Sequence, residues 1–598
     1  MHRRFSALIP LGSLILLLAA IAAAEGNDFP AVEAAPDSPR DAIPVGDTLT
    51  LIQKPLLNIP AMVEAGDTME ISCDADPGAS GWSAHLIRND SAIPLSIASA
   101  SYSASTLWWT LQAVLPDPID LAGMYDLAVD GNGAAPDTTR NAVCVLNAYR
   151  SDFYFLHIAD SHLVTHKYWY ESGADTDTTE MTDLHEVIAD INLIHPEFVL
   201  FTGDLINEGE LEDYLDKRYY TRTQKILGTF DVPVFVISGN HDIGGWDDTP
   251  PSDGTARRDW WRFFGWKRLN DPPAGAPART QDYSFDYGPV HFTGLESYVN
   301  YDNWRYSTYK YYSFTNDQME WLEDDLASSS GSAARVLFYH MDFSDQINLS
   351  SLGADMALYG HIHRDEGSIT SHPYNLATDN VCDGARAYRL IRYTGGALQP
   401  TATLSAGSSG NQLRAQFSPP NDGTADSITC DVINNHHQGF ENGRVRFYLS
   451  PGTAGVTVSG GTLVQTEDLG WATAADVAVD IPSTGTATVV AYANSTGVGG
   501  GDGGPPAALR LEANRPNPFN PTTTIRFHLP GPGRASLLVF NTLGQQVARL
   551  EGGAMDAGVH ETTWDGRNDG GGLLPSGIYF ARLTFEGASV TRKIVLAR

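Results

Sequence analysis

From residue 25 to about 147, short runs of Val, Ile, Leu and Tyr alternate with polar positions and are cut by turn clusters such as DADPGASG and DGNGAAPD. That period of two, with turns at close spacing, predicts a small β-sandwich. At DFYFLHIADSH the pattern changes. Continuous apolar runs recur at 153–158, 198–201, 234–237, 336–339 and 356–359, with helical periodicity between several of them. One helical stretch begins near Asp183 with Glu186 three residues on, carries Leu184, Val187, Ile188 and Ile191 on one face, and stops at Pro196. A second is TNDQMEWLEDDLASS. Buried strands alternating with helices predict a layered α/β domain over 149–397. Beyond it, RVRFYLSPG and TATVVAYAN return to strand patterning over 398–494. The Gly-rich 495–508 reads as a flexible linker, and 509–598 alternates again as a separate sandwich. The chain is thus multidomain, α/β plus all-β, with an α/β sandwich flanked by Ig-like β-sandwich domains.

At 598 residues the chain exceeds what one core organises. Its 38 Lys and Arg against 72 Asp and Glu, a net charge of -34, disfavour tight nucleic-acid binding and leave a small phosphorylated substrate open. The first residues, MHRRFSALIPLGSLILLLAAIAAAEG, place basic residues before an apolar stretch and Ala22-Ala23-Ala24. This predicts a signal peptide over 1–24 and an exported chain, with an uncleaved anchor as the alternative. No later run is long and apolar enough to span a bilayer, so no transmembrane segment is expected in the mature chain. In an exported protein four cysteines suggest two bridges, Cys73 with Cys144 and Cys382 with Cys430. With no CxxC spacing, cysteine as a metal ligand is a weak reading.

Candidate chemistry lies just after the five apolar strands. The first is followed by ADSH (Asp160, His162), the second by TGDLIN (Asp204, Asn207), the third by SGNHD (Asn240, His241, Asp242), the fourth by YHMD (His340) and the fifth by GHIH (His361, His363). In an open α/β sheet the carboxyl ends of the strands face one crevice, so these segments are expected to converge. Alternation along the last strand would send His361 and His363 the same way, with Gly360 leaving room for close approach. Carboxylate, amide and imidazole donors suit Zn, Mn or Fe better than Ca or Mg.

In this order the five segments resemble the calcineurin-like metallophosphoesterase superfamily, whose pattern runs D-x-H, G-D, G-N-H-[DE], H, G-H-x-H. The resemblance implies a metal-dependent phosphoric ester hydrolase with two divalent or trivalent ions, identity open among Fe, Mn and Zn. Asp160, His162 and His363 would hold one ion, and Asn240, His340 and His361 the other. Asp204 would bridge them. His241, oriented by Asp242, would face the phosphoryl group as the catalytic imidazole while a metal-bridging hydroxide attacks. Asn207 stands where the plant purple acid phosphatases carry an iron-binding tyrosine, so colour is not expected.

Other features allow two readings. Trp260, Trp261, Trp304 and Tyr306 could stack on a base and Arg257, Arg258 or Arg305 could hold phosphate, but packing of Trp260, Trp261, Phe263 and Phe264 against the core is favoured. DTDTTEMTD near residue 180 reads as a solvated loop, and His436 and His437 as surface. The blocks NRPNPFNPTTTIRFHLP, VFNTLGQQVARL, GVHETTWDGRNDGGG and LPSGIYFARL closely resemble the C-terminal sorting domain of the type IX secretion route. That implies the secretion machinery as partner and a cell-surface or secreted location, a carbohydrate-binding or adhesive module being the alternative. The sequence reading is a secreted phosphoesterase leaning to phosphodiesters. A phosphomonoesterase for phosphate scavenging and a non-catalytic surface binding protein are the alternatives.

Overall fold

The computed structural model describes residues 46–596 except 90, 164–178, 207–218, 244–259, 267–280, 297–313, 315, 343–346, 408–412, 454, 495–508, 512–513, 515–518, 520, 542–544 and 587. The signal-like N-terminus, the Gly-rich linker, Asn207, Trp304, Tyr306, Arg257, Arg258 and Arg305 lie outside the described residues. The molecule is mostly β-strand with few helices.

Ahead of the α/β region, eight strands lie on one hydrogen-bonded path. The long strand Ser91–Ser103 pairs first with Ser80–Arg88 and then with Trp108–Val114, carrying the sheet round a single core. Cys73 points into that core beside Ile71 and Leu111. Cys144 sits on the other face of its strand, against Met62 and Phe153, while its neighbours Val143 and Val145 face the core of Cys73. Successive residues of a strand point to opposite faces, so the two thiols lie in different cores. The expected bridges are absent: Cys73, Cys144, Cys382 and Cys430 are all free and buried.

The α/β region is built from two sheets. In one, Val234–Val236, Val199–Phe201 and Phe153–Ile158 run parallel, and Ala387–Thr394 continues antiparallel. In the other, Val290–Gly294, Ala334–Phe338, Met356–Tyr359 and Tyr374–Ala377 run parallel, with Tyr283–Tyr287 antiparallel at one edge. The sheets face each other across Phe155, Phe198, Phe235, Phe285, Phe292 and Phe338. Phe155 meets Phe292 edge-on with centroids 5.2 Å apart, and Phe235 stacks on Phe285. Each such ring contributes about 1.5–3 kcal/mol of burial.

Strand Phe153–Ile158 is buried at every position because its second face is covered by the helices Thr179–Ile194 and Tyr219–Leu227. Helix Asn316–Ser328 covers the outer face of the other sheet through Leu322 and Leu326. Asp183 does not cap its helix: it lies inside Thr179–Ile194, and its buried carboxylate binds the Gly384 N–H and Arg386 Nε. Glu180 is buried too, so this end of the acidic DTDTTEMTD stretch is packed helix, not solvated loop. Trp260, Trp261, Phe263 and Phe264 pack in the core, as the favoured reading has it. His436, expected at the surface, is buried beside Tyr388. Residues 413–493 form a four-stranded and a three-stranded sheet, and the described residues from 510 to 596 do the same.

Candidate metal centre

The C-terminal ends of both sheets open on one place. Asp160, His162, Asp204, Asn240 and His241 come from the loops of the first sheet, and His340, His361 and His363 from those of the second. Five of these residues take left-handed backbone: Asp160 (φ 56°), His162 (40°), Asp204 (49°), His361 (67°) and His363 (48°). Non-glycine residues pay roughly 1 kcal/mol or more for that conformation, which persists only where the surroundings over-determine it. Here the Asp160 N–H binds the Gly203 carbonyl at 3.0 Å, the His162 N–H binds the Asp204 carbonyl at 3.0 Å, and the Val381 and Cys382 N–H groups close on the Asp160 carbonyl. The last strand stops at Tyr359, so His361 and His363 reach the site through left-handed turns and not by strand alternation. Gly360 and Gly239 are required by space: a Cβ on either would run into the carboxylate of Asp160 or Asp204 respectively.

The side chains then meet in an arrangement that wants a cation. His340 Nδ1 lies 2.6 Å from the Thr202 carbonyl, which can only accept, so Nδ1 carries the proton. Its Nε2 faces Asp204 Oδ2 and Asn240 Oδ1, each 3.1 Å away. Nearby, His162 Nε2 and His363 Nε2 face each other at 3.1 Å, with Asp160 Oδ1 4.0 and 3.7 Å from them. Acceptors so placed repel unless a proton or a metal ion stands among them. Among the described residues, three sets of donor atoms lie mutually within 4.8 Å: Asp204, His340 and His361; His162, Asp204 and His241; and His162, His363 and Cys382.

The electrostatics agree. Burial pushes Asp160 up, as does the nearby Asp204 carboxylate, against the pull of His340. Burial would also raise Asp204, but His340, His241 and His162 outweigh it and hold its carboxyl well below the usual range. Asp204 in turn overcomes the burial of His340 and lifts that imidazole to about 9. Burial lowers His162 and His361 to about 3 and shifts His363 downward, leaving neutral rings with lone pairs to offer. Two buried carboxylates, neutral imidazoles and an amide oxygen form a donor set that fits transition-metal ions.

His241 holds its backbone N–H on Asp204 Oδ1 at 2.9 Å and sets its half-buried ring edge-on to His162, centroids 4.7 Å apart. Asp242 orients the loops around His241 and not its ring. Its Oδ1 accepts the Leu205 and Ile206 N–H groups and its Oδ2 that of Gly239, and burial followed by the charge of Asp204 pushes it up to about 8. Three contributors escaped the sequence reading. Thr202 acts through its carbonyl, which no residue type advertises, and Asn380 and Cys382 lie on a loop outside the five strand-end segments.

A model of the calcineurin-like phosphoesterase family matches residues 153–365, the span that supplies every one of the predicted ligands. The chain carries a calcineurin-like phosphoesterase domain. Among curated proteins, the serine/threonine-protein phosphatase CPPED1 of Bos taurus is 24% identical over 249 residues, covering 37% of this chain and 72% of that protein. Among solved structures, purple acid phosphatase PPD1 from yellow lupin seeds is 12% identical at a TM-score of 0.31, covering 65% of this chain and 72% of its own. A dimetal phosphatase from Danio rerio is 15% identical at a TM-score of 0.30, covering 42% of this chain and 98% of its own. At the other end, residues 517–588 match a model of the FlgD Ig-like domain. The phosphoesterase domain and an Ig-like domain are therefore parts of one chain.

Proposed function

We propose that the phosphoesterase domain works as a dinuclear centre in an exported enzyme that favours phosphodiesters. One observation carries the dinuclear reading: Asp204 Oδ2 lies 3.5 Å from His162 Nε2 and 3.1 Å from His340 Nε2, so one carboxylate is shared by both histidine sets. Asp160, His162 and His363 would hold one ion, Asn240, His340 and His361 the other. Two ions bound there would supply a nucleophile from water at neutral pH and stabilise charge on the phosphoryl oxygens. The chain's own part is to hold the imidazoles and carboxylates in place and to present His241 at the rim. With its backbone N–H fixed on Asp204, the His241 ring is positioned to pass a proton to the departing ester oxygen.

Charge supports the diester preference. Arg364, Arg386 and Arg389, on the segments next to the cluster, are each paired with a carboxylate, of Glu366, Asp183 and Asp365 respectively. The doubly charged monoester therefore finds less compensation than the singly charged diester. The bovine relative, a serine/threonine-protein phosphatase, favours the second reading, a phosphomonoesterase. Export rests on the signal-like N-terminus, and passage through the type IX route rests on the C-terminal sequence blocks. Side-by-side kinetics of an aryl phosphodiester and an aryl phosphomonoester on metal-reconstituted protein test the substrate class: higher kcat/KM for the diester is expected, and a clear preference for the monoester would overturn it.

A further inference from the structure

Cys382 was expected in a disulfide, yet it is free, only 2% exposed, and stands in the metal cluster. Its Sγ lies within 4.8 Å of the donor nitrogens of both His162 and His363. Sulfur and nitrogen donors on one ion, with Zn–S near 2.3 Å and Zn–N near 2.0 Å, lie at most about 4.3 Å apart, so a modest contraction about an ion joins the three. Its loop is fixed to the same ligand set, because the Cys382 N–H donates to the Asp160 carbonyl at 3.1 Å. Asn380 donates to Sγ at 3.1 Å and the thiol in turn faces Asp383 Oδ2 at 3.6 Å, so the sulfur is held in place from both sides, and its S–H, which burial keeps protonated, gives up the proton only on binding an ion.

We infer that Cys382 is a further ligand, a thiolate added to Asp160, His162 and His363 on one side of the dinuclear centre. The inference rests on that centre existing. On binding, the S–H bond gives way to a sulfur–metal bond and the proton leaves to solvent. A soft sulfur donor shifts this half of the site toward zinc and away from manganese, whereas the half built from Asn240, His340 and His361 keeps only nitrogen and oxygen donors. The other reading is that Cys382 packs as a small buried thiol without touching the ion.

Cobalt(II) distinguishes them, because a thiolate on cobalt gives a strong near-ultraviolet charge-transfer band that nitrogen and oxygen ligands do not. Cys73, Cys144 and Cys430 are buried in hydrophobic cores and cannot supply it. The cobalt-loaded full chain is expected to bind two ions and show the band. Cys382→Ser is expected to lose the band, keep the ions, and bind zinc at least about tenfold more weakly relative to manganese. Should the variant fail to fold, X-ray absorption of the zinc-loaded wild type reads the same point, with sulfur in the zinc shell near 2.3 Å expected. Two bound ions with no band and no sulfur scatterer would overturn the thiolate and leave the dinuclear centre standing. No bound ion at all would overturn both.

Discussion

Each ligand candidate with a left-handed backbone is a place where local conformational preference gives way to the needs of the cluster. Substitutions there should therefore separate holding a metal from using it. His363→Ala is expected to lower metal content and activity together. His241→Ala is expected to keep the metals and lose about a hundredfold to ten-thousandfold in kcat, read from elemental analysis beside steady-state kinetics. Full activity in the second variant would remove His241 from the chemistry. Gly239→Ala, which drives a methyl group into Asp204, is expected to weaken metal binding at least about tenfold in a chelator competition, with wild-type affinity contradicting it. The candidate ligands could be picked out in sequence because each follows an apolar strand within a few residues. Cys382 was not: it lies on a loop brought back by main-chain hydrogen bonds to Asp160, and a lone cysteine in an exported chain reads as half of a disulfide. The Asp242 role shifted for a related reason, since backbone N–H groups leave no trace in residue identity.

Between elements, strand periodicity located the five buried strands but not their division into two sheets. A continuous apolar run shows that both faces are covered, and says nothing of what covers them. One polar device ties these layers. His291, on strand Val290–Gly294, joins Asp286 through Nδ1 at 2.8 Å and Asp325 of helix Asn316–Ser328 through Nε2 at 2.9 Å. Burial would lower this imidazole, but its hydrogen bonds to Asp286 and Asp325 push it up to about 9. A folded pKa above the unfolded value near 6.5 stabilises fully below about pH 6.5 and is lost as pH rises through about 9. After discounting for solvent screening the contribution is about 1–2 kcal/mol. His291→Gln is accordingly expected to be less stable than wild type at pH 6 and to close most of that gap by pH 9.5, in denaturant melts at each pH. A gap that stays constant would contradict the ion pairing.

On the scale of the molecule, the Gly-rich 495–508 separates the strand region 413–493, which follows the phosphoesterase domain, from the residues matched to the FlgD Ig-like model. The core of the C-terminal strands is its own, built from Phe527, Leu537, Trp564, Leu583 and their neighbours. None of the predicted metal ligands comes from it. Deleting 509–598 is expected to leave the activity of purified protein unchanged and to strand the enzyme in the periplasm of a host with the type IX route. Loss of activity would make the module part of the enzyme, and undiminished arrival at the surface would show that it is no sorting signal. No described helix is long and apolar enough to cross a membrane.

One carboxylate, Asp204, is shared between the two histidine sets. Elemental analysis of purified, active full-length protein tests that most directly. It should find about two transition-metal ions per chain, removed together with activity by a chelator and restored together on reconstitution. Active protein containing no Fe, Mn or Zn, or activity undiminished after complete metal removal, would contradict it.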